Sequence, residues 1–176
     1  MTPPRPRYAY IERLAEQLLE RAGVTQPPVP VEAMARASGC KIVAAKLRDV
    51  SGVLVRSADG ATIGFNLDHP QTRKRFTIAH ELGHYLLHQG QEIRYDHDFR
   101  VSLRSEESSE GTNIEEIEAN FFAASLLMPA KILLADPRTA FIDVDDDASV
   151  EALAKSYKVS RQAMSLRLTR LSNRRF

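Results

Sequence analysis

Residues 76–88 read FTIAHELGHYLLH, and within them His80-Glu81-Leu82-Gly83-His84 is an H-E-x-x-H motif. Two histidines four positions apart on a helix share one face, about 6 Å apart along the axis, so both imidazoles can lean onto one metal ion. Glu81 stands beside that face, where it can take a proton from water activated by the ion instead of sharing the ion itself. The bland alternative is a surface helix carrying two histidines by accident. The apolar flanks Ile78-Ala79 and Tyr85-Leu86-Leu87 argue against it, because they would bury the histidines without a partner. The composition also makes a chance match roughly a 1% event.

A hydrolytic zinc site needs a third protein ligand and one open position. His88 lies about 12 Å from His80 along a straight helix, too far to share one ion. The longer H-E-x-x-H-x-x-G-x-x-H pattern also fails, since Leu87 and Gly90 occupy its glycine and last histidine positions. Glu118 is the candidate that remains. It sits in the almost wholly apolar run IEANFFAA (117–124), where a bare carboxylate is expensive unless a cation or a hydrogen-bonded partner compensates it. The plain alternative is an arginine partner. Two imidazoles and a carboxylate suit Zn2+, and Mn2+ is compatible with the same donors.

FTIAHELGHYLLH, followed after a polar stretch by EIEANFFAASLLMP, resembles the ImmA/IrrE family of bacterial metallo-endopeptidases, a gluzincin-like group. The resemblance covers about residues 8–130 in order, including PPVPVEAMARASGCKIV and Ile63-Gly64-Phe65-Asn66. It implies a cytoplasmic protease that cleaves a helix-turn-helix repressor encoded nearby, relieving repression under stress. It also implies His80, His84 and Glu118 as ligands and Glu81 as catalytic base. The chain is too short for the GAF-like sensor domain that some stress-response members carry.

Outward from the motifs, residues 1–7 hold three prolines and two arginines and read as a flexible arm. Helical spacing predicts an amphipathic helix from Tyr8 to Ala22 and a short one from Val31 to Ser38, with a strand at Cys40–Ala45. The Asp59-Gly60 pair predicts a hairpin of Gly52–Arg56 and Ala61–Leu67, and the second strand is a candidate edge for an extended substrate. Gln89–Gly111 reads as a mobile polar loop. Thr112/Glu115 and Asn113/Glu116 have capping-box spacing for a helix that ends near Pro129. Tyr85, His88, Tyr95 and His97 are candidate donors to an oxyanion.

The C-terminal stretch 149–171 reads as two helices split near Val159-Ser160 and resembles a helix-turn-helix. Ser160 would cap a recognition helix bearing Arg161, Gln162 and Arg167, with Lys158 where glycine is common. Six basic residues and no acidic one lie between Lys158 and Phe176. This supports a rival reading, a DNA-binding regulator with a vestigial or structural metal site.

The 176 residues suit one domain with a small appendage, and 43% apolar content is enough for an unstapled core. Basic and acidic residues number 24 and 23, so there is no global field for nucleic acid or an anionic membrane. DNA as a partner is therefore not favoured. Cys40 is the single cysteine, which excludes an internal disulfide and fits a reducing compartment. No signal peptide and no run of ~20 apolar residues is read, so the expectation is a soluble cytoplasmic protein without membrane contact. The expected fold is α+β: a zincin-like domain (8–142) with a small, mostly antiparallel sheet, an active-site helix and a ligand helix, then a helix-turn-helix-like appendage (143–176).

Overall fold

The computed structural model describes residues 5–89, 92–96, 114–140 and 142–173. Along the chain run α1 (Tyr8–Arg21), α2 (Val31–Ala37), β1 (Cys40–Ala45), β2 (Gly52–Ser57), β3 (Gly60–Asn66), α3 (Gln71–Leu87), β4 (Ile93–Asp96), α4 (Ile114–Leu127), α5 (Ala130–Ala135), α6 (Asp147–Tyr157) and α7 (Arg161–Ser172). A short 3-10 turn, Pro137–Thr139, follows α5. The fold is α+β, as the sequence predicts.

The hairpin forms as its turn chemistry dictates, with Ser57 opposite Gly60. Gly60 has φ +133°, and a Cβ there would come within 2.4 Å of the Gly39 carbonyl oxygen, so only glycine fits where the hairpin passes the start of β1. The sheet order is β1-β3-β2-β4. Strand β3 runs parallel to β1 and antiparallel to β2, and β2 is antiparallel to β4. This corrects two expectations. The second hairpin strand is interior, because β1 covers its free side, and residues 93–96 of the expected loop are a strand. Residues 90–91 and 97–113, which include most of the rest of that loop and the capping residues Thr112 and Asn113, lie outside the described residues.

Helix α3 begins at Gln71, just after Pro70, so the basic run Arg73-Lys74-Arg75 lies in its first turns. Arg75 is buried there and donates to the carbonyls of Val29 and Lys158. The inward residues Leu54, Ile63, Ile78, Leu82, Phe122 and Leu126 are at most 1% exposed, and they join sheet, α3 and α4 in one core. The same core takes in Val150, Leu153, Tyr157 and Leu168 of the last two helices.

Helix α4 breaks before Pro129 and α5 resumes after it. The stretch Ile114–Ala135 is long and apolar enough to cross a bilayer, although the sequence reading found no such segment. Some 67% of its apolar window is buried in the fold, the mark of a core helix.

Gly83 lets α3 and α4 touch: a Cβ there would meet Phe122 Cδ1 at 3.0 Å and the Ala119 backbone at 3.2–3.3 Å. Gly83→Val should therefore force the helices apart and destabilise the protein by about 1–3 kcal/mol. Urea unfolding measures this, and an unchanged midpoint would refute the close packing.

Candidate metal centre

His80, Glu81 and His84 lie on the buried side of α3, at 0–1% exposure. The sequence accounts for this: every residue from Arg75 to His84 is buried, so the polar members of the motif enter the core with their apolar neighbours. His80 Nδ1 lies 3.0 Å from the amide oxygen of Asn120 on α4. That acceptor places the proton on Nδ1 and leaves Nε2 its lone pair. His84 Nδ1 lies 3.1 Å from His88 Nδ1. Burial lowers the pKa of both His80 and His84, so both rings are neutral. Their Nε2 atoms face each other at 3.0 Å.

The carboxylate that meets this pair is Glu116. Its oxygens lie 3.3 Å from His80 Nε2 and 3.4 Å from His84 Nε2. Four ligand atoms tetrahedrally placed ~2.0–2.1 Å from one ion stand about 3.3 Å apart, so the three side chains fit a zinc-like cation. Ligand atoms of His80, His84 and Glu116 all lie within 4.8 Å of one another.

Glu118, the expected third ligand, is directed elsewhere. Residues two apart on a helix point about 200° apart, so Glu116 and Glu118 cannot both face α3 in the same place. Glu118 accepts from the Arg7 backbone N–H at 2.7 Å and from Arg7 Nη2 at 2.6 Å, and lies 3.1 Å from His88 Nε2. Burial works to raise its pKa, but Arg7 and His88 hold it down to about 2. The compensating partner is thus an arginine, and it comes from the segment expected to be a loose arm. Residues 1–4 lie outside the described residues. His84, His88 and Glu115 also come together, yet His88 already meets His84 and Glu118 through its two ring nitrogens.

Glu81 is 0% exposed, and neither of its oxygens has a hydrogen-bond partner among the described residues. Burial pushes its pKa up to about 7, with His80 and Arg94 opposing and Asp96 reinforcing the rise. A buried, unsatisfied carboxylate costs ~1–3 kcal/mol or more unless a cation or a proton donor meets it. This is the second sign that the cluster suits a metal and water. Gly52 on β2 makes room for it, since a Cβ there would stand 2.8 Å from Glu81 Oε1.

Two arginines missed in the sequence frame the site. Arg56 of β2 donates to the carbonyls of His84 at 2.7 Å and His88 at 3.1 Å, capping the negative end of α3. Arg94 of β4 forms an ion pair with Glu116. The alternation of Ile93 and Tyr95, exposed by 44% and 58%, with Arg94 and Asp96 was the available signal. Of the oxyanion candidates, the Tyr85 hydroxyl lies by Gly39, Tyr95 is exposed, and His88 is turned to Glu118. His97 lies outside the described residues.

The sequence profile of a peptidase family described as the IrrE N-terminal-like domain matches residues 35–169. The chain belongs to this family, and is a metal-dependent protease. No curated protein matches the sequence.

If the geometry governs binding, His80→Ala, His84→Ala and Glu116→Ala should each lose most bound metal. Glu118→Ala should still take up one equivalent when metal is saturating. Elemental analysis of the four variants decides, and full occupancy in Glu116→Ala would overturn the assignment.

Proposed function

We propose that this chain is a zinc-dependent endopeptidase in which His80, His84 and Glu116 hold the ion, Glu81 is the catalytic base and the substrate is a helix-turn-helix repressor encoded nearby. The observation that carries the reading is Glu81, a fully buried carboxylate without a hydrogen-bond partner among the described residues, set against neutral His80 on the motif helix. Bound by these side chains, the ion supplies Lewis acidity toward the scissile carbonyl and makes water at the site more acidic. Imidazole-rich donors favour zinc over manganese.

Glu81 accepts the proton of the attacking water and passes it to the departing amine, which converts a poor leaving group into a neutral one. His80 and His84 take no part in proton movement. Asn120 fixes the ring of His80, and the close contact at Gly83 fixes α3 against α4. Arg94, beside Glu116 and with its Nε unpartnered among the described residues, supplies a donor for the charge that develops on the carbonyl oxygen.

Among the described residues β4 pairs only with β2, so its outer edge is the one next to the site that can take an extended segment as a further strand. A peptide so bound crosses the metal centre with its backbone held by main-chain hydrogen bonds. This suits cleavage in a flexible or locally opened stretch of a repressor, and repression would then be relieved under stress, as the family resemblance implies.

The rival DNA-binding reading has support in the backbone. Lys158 adopts the left-handed conformation at φ 52°, and Ser160 caps α7 by accepting from Ala163 N–H. The side chains argue against it. Arg167 is 2% exposed and donates to Met128 O and Glu12, Arg170 stacks over Tyr8 and Phe121, and Arg161 pairs with Asp147. Three of the six basic residues are thus engaged within the protein, which leaves a weak surface for phosphate.

The metal-loaded protein should cut the neighbouring repressor into two fragments. Glu81→Gln should bind metal normally while its cleavage rate falls by at least ~10²–10⁴. Equal loss of metal and activity would remove Glu81 from the base role. Cleavage of unrelated peptides with the repressor left intact would remove the repressor as substrate, and sub-micromolar duplex binding at physiological salt without proteolysis would favour the regulator.

A further inference from the structure

The acidic residue left over from the metal cluster is not idle. His84 Nδ1 lies 3.1 Å from His88 Nδ1, and His88 Nε2 lies 3.1 Å from Glu118 Oε2. Arg7 closes the chain, donating from Nη2 to the same Oε2 at 2.6 Å and from its backbone N–H to Oε1 at 2.7 Å. Arg7 Nη2 also reaches the Leu87 carbonyl at 3.2 Å, so one guanidinium spans α3 and α4 from the foot of α1.

The direction of this chain is fixed by its charged end. Glu118 is ionised and can only accept, so His88 must present an N–H from Nε2. A neutral His88 then has a lone pair on Nδ1, and His84 must donate to it from its own Nδ1. That leaves His84 with a free lone pair on Nε2, the atom that faces His80 and Glu116. The opposite polarity would turn a bare His88 nitrogen against a carboxylate. The arrangement is buried where it must be: the side chains of His88 and Glu118 are 5% and 3% exposed, while that of Arg7 is 49% exposed.

We propose that Arg7, Glu118 and His88 are positioning residues that set the tautomer and ring orientation of His84, so that the segment just ahead of α1 governs how tightly the site holds its metal. This rests on the reading of His84 as a ligand. Arg7 lies outside the matched span 35–169, whereas His88 and Glu118 lie within it.

The test is zinc affinity by competition with a chromophoric chelator, run on the full chain and on His84→Ala, His88→Leu, Arg7→Ala and the Arg7→Ala/His88→Leu double variant. Thermal unfolding of each metal-free protein runs alongside. Loss of an outer partner of a metal-bound histidine weakens affinity by ~10–100-fold, the loss expected for His88→Leu. Arg7→Ala, one link further out, should weaken it by about 3–10-fold. Because both act through His84, the double variant should bind no more weakly than His88→Leu by more than about twofold. His88→Asn, which keeps an acceptor for His84 Nδ1, should restore most of the affinity and the Co2+ absorption spectrum of the parent. His84→Ala separates the two layers of argument. If it binds zinc as the parent does, the ligand reading itself fails. If it loses zinc while His88→Leu stays within twofold of the parent, or if the two losses multiply in the double variant, the relay is overturned. If Arg7→Ala is too unstable to titrate, Arg7→Lys replaces it. This variant keeps the charge and loses the fork, and parent-like affinity in it would likewise overturn the role of Arg7.

Discussion

Everything at the centre of this protein depends on how closely α3 lies against α4. The contact is made where Gly83 meets Ala119 and Phe122, and any side chain at position 83 would hold the helices apart. Close approach places both His80 and His84 within reach of Glu116 and His80 within reach of Asn120, and it also buries the two histidines and Glu81. The two effects cannot be separated. A dry environment lowers the pKa of the imidazoles, leaves Glu81 unsatisfied and makes each polar group sensitive to the position of its neighbours. An apolar helix pair has in effect been packed around two neutral imidazoles and one buried carboxylate, Glu81, whose oxygens have no hydrogen-bond partner among the described residues.

The sheet and Arg56 complete this arrangement from the other side. Strand β2 contributes Gly52, whose missing side chain is the space Glu81 occupies, and Arg56, whose guanidinium meets the last carbonyls of α3. A helix ending at a metal site has its negative pole directed toward the cluster's outer residues, and a fixed cation there offsets it. The two arginines on neighbouring strands divide the labour. Arg56 binds backbone, whereas Arg94 binds the Glu116 side chain.

Most of the fold was legible because its signals are local. The hairpin follows from Asp59-Gly60, the break after α4 from Pro129, and the motif helix from the apolar flanks of His80 and His84. The site was legible only where its residues share one helix. Burial cost correctly marked Glu118 as a carboxylate in need of compensation, but nothing in the sequence says which face of α4 turns toward α3, and the partner proved to be Arg7, 111 positions away. Glu116 and Asn120, four apart, share the face of α4 that meets His80, a fact that only the packing of the helices reveals. Strand β4 escaped notice because four residues alternating across a sheet edge resemble a polar loop. The basic stripe of the last helix shows the same limit: charge is visible in a sequence, whereas the burial of Arg167 against Met128 and Glu12 is not.

The span between Arg7 and Glu118 also has a meaning during synthesis. At roughly 5–20 residues per second, the 111 positions that separate them take on the order of 6–20 s to translate. For only the last part of that interval, roughly 1–5 s between the end of α3 at Leu87 and the start of α4 at Ile114, the motif helix has been made while α4, which carries both Glu116 and Glu118, has not. In that window the nascent chain contains the two motif histidines and Glu81 but neither Glu116 nor Glu118. The cluster around His80 and His84 is therefore completed only once α4 has been made and the segment bearing Arg7 has docked on it from the other end of the chain.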